Sequence, residues 1–341
     1  MPAKRVVVTG GAGYIGSVLT EMLLDAGYEV TVLDRFFFGP TLDHLSGREG
    51  LRLVRDDVRT FTPTVLDGAY AVCDLAALSN DPAGDLDPEK TREINHRGRA
   101  RVARLARERG VERYVLASSC SVYGFQNGVL DEQSTTQPLT TYAHANLDAE
   151  ASNLPLAAAG FCVTALRQAT VYGLSARMRF DLAINGMTLG VFHGGRVRVL
   201  RDGTQWRPMV HVRDTSRAFL AVLGAPPEAV NGQIFNVGSD EQNFQILPLA
   251  RRVSEAVGRP FEMEWYGDPD HRSYRVSFSK IQRTLGYEAR YTPEDAAREI
   301  FAALQSGRTA PDLRTRTVEW YKNLIEWHGI LQELVIDDAV L

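Results

Sequence analysis

A chain of 341 residues has room for one large domain or two modest ones. With 44% hydrophobic and 23% charged residues it reads as an ordinary globular protein, and a net charge of −4 argues against a nucleic-acid partner, which needs a basic face. The opening "MPAKRVVVTGG" runs straight into a β-rich stretch with no long apolar segment. This predicts neither export nor a membrane span, hence a cytoplasmic location.

Short β-rich runs at 5–10, 29–34, 51–54, 71–77, 113–119 and 161–173 alternate with helical stretches. Between the first two, Ile15, Val18, Leu19, Met22, Leu23 and Ala26 recur at helical spacing, and Gly27 closes the segment. "DPEKTREINHRGRARVARLARERG" predicts another helix, from Pro88 to Gly110, and its arginine-rich part (97–110) reads as a solvated face. Apolar strands alternating with helices imply a buried parallel sheet covered on both faces. After about residue 174 the rhythm breaks. Shorter β pieces (196–200, 233–237, 262–266) mix with helices near 246–257 and 293–306. Cys73, Cys120 and Cys162 lie in or beside apolar runs without metal-type spacing, so buried reduced thiols are expected and no metal site.

The strongest local motif is "VVVTGGAGYIGSVL". Gly10, Gly13 and Gly16 follow a strand and open a helix, which lets the backbone approach a pyrophosphate at the helix N-terminus. Tyr14 and Ile15 lie within the same turn. Asp34 ends the second strand, at the spacing of a carboxylate that grips an adenosine ribose diol. It would repel a 2′-phosphate, so NAD is favoured over NADP. Asp57 and Val58 suit the adenine end, and Leu75, Ala76 and Ala77 offer small or apolar walls. Asn95 is a further candidate on the cofactor side. The fold class expected is α/β: a Rossmann-type doubly wound parallel sheet (1–173) with a smaller C-terminal α/β substrate lobe (174–341). Segments near 208–238 are expected to return to the first domain.

"ASSCSVYG" (117–124), Tyr142, the glycine motif, "LAALS" and "RPMVHVRD" (207–214) occur in order along the chain. In these motifs the whole chain resembles the extended short-chain dehydrogenase/reductase family, in its nucleotide-sugar epimerase and dehydratase branch. The resemblance implies that Tyr142 removes a proton from a sugar hydroxyl while hydride leaves the same carbon for NAD, and that Ser119 hydrogen-bonds that oxygen. Asn146 stands where the family has a lysine that holds the nicotinamide ribose and lowers the tyrosine pKa. Asparagine can still bond the ribose but supplies no charge. Related 4,6-dehydratases carry an Asp–Glu pair where this chain has Cys120 and Ser121, which disfavours water loss.

On the substrate side, Arg207 matches the family arginine that binds the diphosphate, and Thr170 stands where many relatives face the sugar with asparagine. Arg177, Arg179 and Asn185 are expected at the lobe interface, Arg272 as a second phosphate ligand, and Ser79 and Asn80 near the sugar. The resemblance also implies a homodimer through a four-helix bundle built on segments 88–109 and 141–159, with Leu147, Ala151, Leu154 and Ala158 at the contact. The expected function is an NAD-dependent nucleotide-sugar epimerase acting at C4. A keto-sugar reductase or dehydrogenase, or a weakened nucleotide-sugar-binding protein, are the alternatives.

Overall fold

The computed structural model describes residues 3–267 and 273–335. Val6, Val7 and Val8 are completely buried, so the first strand is covered on both faces. It lies in the interior of a seven-stranded sheet. β1 (Arg5–Thr9) is flanked on one side by β2 (Glu29–Asp34) and β3 (Leu51–Arg55), and on the other by β4 (Ala71–Asp74) and β5 (Arg113–Ser119). Beyond β5 come strands Cys162–Gln168 and Gln233–Val237. Every pairing in this sheet is parallel. Alternate side chains enter opposite cores. Val6 and Val8 pack with Leu19, Leu23, Phe219 and Val222, whereas Val7 joins Val102, Ala103, Ala106 and Ala149.

Helix α1 (Tyr14–Asp25) matches the predicted periodicity. The run 161–173 is not one strand. It leaves the sheet at Ala169, whose N–H bonds the Val237 carbonyl, and Thr170–Tyr172 pairs instead with Trp206–His211. The helix predicted over 88–110 forms as α-helix Pro88–Arg92, a π-helical turn Glu93–Gly98 and α-helix Arg99–Glu108. Its arginine-rich part is not wholly solvated, because Arg99 is 1% exposed.

Helix Val212–Gly224 and strand Gln233–Val237 join the large sheet layer. A smaller core gathers helices Ala183–Gly194, Ile246–Ala256 and Pro293–Gln305 against the parallel pair Val197–Leu200 and Met263–Tyr266, around Met187, Val199, Leu249 and Ala297. All three cysteines are buried and unpaired. Among the described residues, no helix is long and apolar enough to cross a membrane.

Candidate active site

The strand order reverses between β1 and β4, and a cleft of about 970 Å³ opens at their C-terminal ends. Gly10 has φ +67°, and a Cβ there would lie 2.8 Å from the Ala76 nitrogen. A Cβ on Gly16 would fall 2.2 Å from the Gly10 carbonyl oxygen. Only glycine lets the turn, α1 and the end of β4 converge this closely. α1 starts after Gly13 with no side-chain cap, so its first-turn N–H groups and positive end are left for an anion.

Asp34 accepts from the Phe36 N–H at 2.7 Å and the Ala12 N–H at 3.0 Å. Each carboxylate oxygen keeps room for another donor. Burial pushes its pKa up, against the pull of those N–H groups and of Arg177. Asp57 also lines the cleft, but its carboxylate is clasped by Arg59 (2.8 and 2.9 Å) and Arg35 (2.8 Å). Burial alone would raise its pKa, yet the arginine bonds outweigh it and hold the carboxyl well below the usual range. Asp57 and Val58 thus both lie in the wall, with the Asp57 carboxylate engaged by the two arginines.

Leu75, Ala76, Ala77, Tyr14 and Ile15 line the cleft as expected. Asn95 does not. It is fully buried, and its amide both accepts from the Leu78 N–H (2.8 Å) and donates to the Leu78 carbonyl (3.0 Å), bracing the loop after β4. Its neighbour Ile94 reaches the cleft instead.

At the reacting end, Ser119 terminates β5 and Tyr142 lies in the first turn of helix Thr141–Asn153. Thr140 caps that helix by accepting from the Ala143 N–H at 3.2 Å. Two turns on, buried Glu150 pairs with Arg167 at 2.7 Å and accepts from Ser118, which ties the helix to β5. Ser119 and Tyr142 both line the cleft. Burial, and then Asp81, push the Tyr142 phenol above the ordinary tyrosine value; hydrogen bonds from Asn146 and Ser119 and the charge of Arg99 oppose them.

Asn146 departs from expectation. It is 1% exposed and lies beneath Tyr142, outside the cleft wall. Its Oδ1 accepts from Arg99 Nη1 at 3.1 Å and its Nδ2 donates to the Tyr142 carbonyl at 3.0 Å. One N–H and one lone pair remain, but burial outside the wall keeps them from the cleft.

Ser79, Asn80, Thr170 and Arg207 line the other half of the cleft. Asn80 bonds Asp181, Ser79 accepts from Arg179, and Arg179 pairs with Asp181 at 2.7 Å, so these groups join the two lobes. Arg207 donates to the Trp206 carbonyl and lies over the Tyr274 ring. Asn185 lies at the lobe junction, as expected, and is corrected only as a substrate contact. Completely buried and absent from the wall, it accepts from the Gly173 N–H and donates to the Tyr14 hydroxyl and the Arg179 carbonyl. Both its amide N–H groups and one oxygen lone pair go into fixing the junction.

Arg177 reaches the cleft at the Asp34 end. Its guanidinium stacks 3.6 Å from the Phe38 ring centroid and bonds Thr317, and its Nε and Nη1 are buried without a partner. Burial lowers its pKa to about 9, which suits a cation waiting for an anion. Arg272 lies outside the described residues.

Three features escaped the sequence reading: Arg99, the Phe38 platform, and the start of helix Thr317–Leu334, where Thr317 and Tyr321 close the Asp34 end. "RFFFG" straight after Asp34 was a visible aromatic signal. Nothing in an arginine-rich helix marks which arginine turns inward.

Comparison with known proteins agrees with this geometry. The family described as "NAD dependent epimerase/dehydratase family" matches residues 6–238. UDP-glucose 4-epimerase of Corynebacterium glutamicum is 29% identical over 315 residues, covering 84% of this chain and 92% of that protein. UDP-glucuronic acid decarboxylase 1 of Xenopus tropicalis is 27% identical over 304 residues, covering 84% and 68%. Among solved structures, MoeE5 in complex with UDP-glucuronic acid and NAD is 28% identical with a TM-score of 0.77, covering 94% of this chain and 99% of that one.

Proposed function

Because this chain belongs to the NAD-dependent epimerase/dehydratase family, we propose that it epimerises a nucleotide-diphosphate sugar at C4. The observation that carries the reading is the meeting of Ser119, Tyr142, Thr170 and Arg207 in one cleft with the glycine turn and Asp34.

The residues at the cofactor end fit NAD. The uncapped start of α1 receives the pyrophosphate, with Arg177 offering unpaired donors nearby, and Asp34 takes the ribose diol. The one guanidinium beside Asp34 in sequence, Arg35, is already bonded to Asp57, which leaves the carboxylate to exclude a 2′-phosphate. NAD, when bound, supplies the hydride acceptor and donor.

Tyr142 takes the proton of the sugar C4 hydroxyl as that carbon becomes a ketone, and Ser119 holds the same oxygen by hydrogen bonding. Rotation of the keto sugar presents its other face, and Tyr142 returns the proton. Arg207 anchors the diphosphate as the sugar turns. Water loss is disfavoured: Cys120 is buried with its thiol against the Arg167 carbonyl, and Ser121 is no acid or base at neutral pH.

Incubation with a panel of UDP- and dTDP-sugars tests the reading, with product stereochemistry and NADH absorbance followed together. C4-inverted product without added cofactor and without net NADH is expected. Accumulating NADH would convert the assignment to a dehydrogenase, and no turnover of any sugar while NAD binds would convert it to a binding protein.

A further inference from the structure

We propose that Arg99, held in place by Asn146, supplies the positive charge that makes Tyr142 a usable base. The inference rests on the reading of Tyr142 as the base for sugar oxidation.

A free phenol titrates near pKa ~10, so only about one in a thousand is ionised at pH 7. Tyr142 is worse placed than a free phenol, because burial and the Asp81 carboxylate both resist its ionisation. Some cation must oppose them. Its own helix offers none nearby: His144 is exposed two positions on, and Glu150 lower down is a carboxylate already paired with Arg167. The loop after β4 contributes Asp81, and Asp85 accepts from the Thr141 N–H. β5 contributes neutral Ser118 and Ser119. The cation comes from the neighbouring helix Arg99–Glu108.

Arg99 is a guanidinium sealed beneath the reacting end. Nη2 donates to the Asp74 and Ala117 carbonyls at 3.0 and 2.5 Å, and Nη1 donates to Asn146 Oδ1 at 3.1 Å. Asn146 thus holds Arg99 on its oxygen side, while its Nδ2 donates to the main-chain carbonyl of Tyr142, so the guanidinium is fixed one side chain away from that residue. Both the Arg99 charge and the Asn146 amide favour the ionised phenol. Asp74 offsets part of the charge. However, it lies 3.6 Å from Nε while Asn146 takes Nη1, and its oxygens accept from Thr9 and Tyr114. Nε itself has no hydrogen-bond partner. Burying an arginine with one donor unmet is costly, and the gain named here is a phenol that ionises more readily.

The test needs no sugar. Tyrosinate formation at Tyr142 is followed by near-ultraviolet difference absorbance of the NAD complex, with Tyr142→Phe in each background subtracted, and folding is checked by thermal melting. Arg99→Gln is expected to raise the Tyr142 pKa by about 1 unit, the lower end of what a neighbouring charge does. Arg99→Gln combined with Asn146→Lys, which moves the charge to the next side chain, is expected to bring it back. An unchanged titration in folded Arg99→Gln overturns the proposal. If that variant does not fold, Arg99→Gln combined with Asp74→Asn decides: it removes both members of the buried ion pair, so no carboxylate is left without a cation. An upward shift supports the proposal and no shift overturns it. If the shifts occur but no nucleotide sugar turns over, the epimerase reading has failed and not the electrostatic one.

Discussion

Asp34, Asp57 and Asn185 show how differently single polar residues of similar appearance are employed. Asp34 keeps acceptor capacity toward the cleft, so Asp34→Ser should bring NAD and NADP affinities closer together, measured by calorimetry. Asp57 has a carboxyl pKa held below its ordinary value, so its contribution to stability is present above about pH 4 and fades as acid protonates it. The stability gap between wild type and Asp57→Asn should therefore close on acidification. It should also shrink in salt, because Arg35 is well exposed. Asn185→Ala strips three buried hydrogen bonds from the lobe junction and should cost about 1–3 kcal/mol in denaturant unfolding, without a selective loss of sugar affinity. Type and position identified the glycines, Asp34, Ser119 and Tyr142. Type alone could not show that Asn95, Asn146 and Asn185 spend their amides on other protein groups, because that depends on packing between segments far apart in sequence.

Helical periodicity located α1 and the helices near 246 and 293 within a residue or two, since one apolar stripe faces one core. It failed where a helix changes pitch. A π-helical turn at Glu93–Gly98 resets the angular phase of everything after it, so a regular 3.6-residue wheel sends Arg99 the wrong way. Deleting one residue in that turn should expose Arg99 and lower the melting temperature. The contact stripe expected on segment 141–159 is also interrupted. The helix ends at Asn153, Leu147 packs inward against the sheet core, and Leu154 and Ala158 lie beyond the last α-helical turn. Ala151 remains exposed, and its small side chain would allow a close helix–helix approach. A homodimer mass in light scattering that Ala151→Arg reduces to monomer is expected; a wild-type monomer at micromolar concentration would refute it.

At the scale of the whole molecule, the cofactor end of the cleft is made by both ends of the sequence. Trp320 Nε1 donates to the Phe37 carbonyl at 2.8 Å, Tyr321 packs on Phe37 and Phe38, and Thr317 meets Arg177. Removal of residues 317–341 should leave the sheet folded yet weaken NAD retention during gel filtration. This closure also has a consequence in time. The glycine turn and Asp34 leave the ribosome early, but the helix that covers them is synthesised some 283 residues after Phe37. A growing chain can shape the nucleotide's bed long before it can shut the cover, so firm possession of the coenzyme belongs to the finished polypeptide and not to the nascent one.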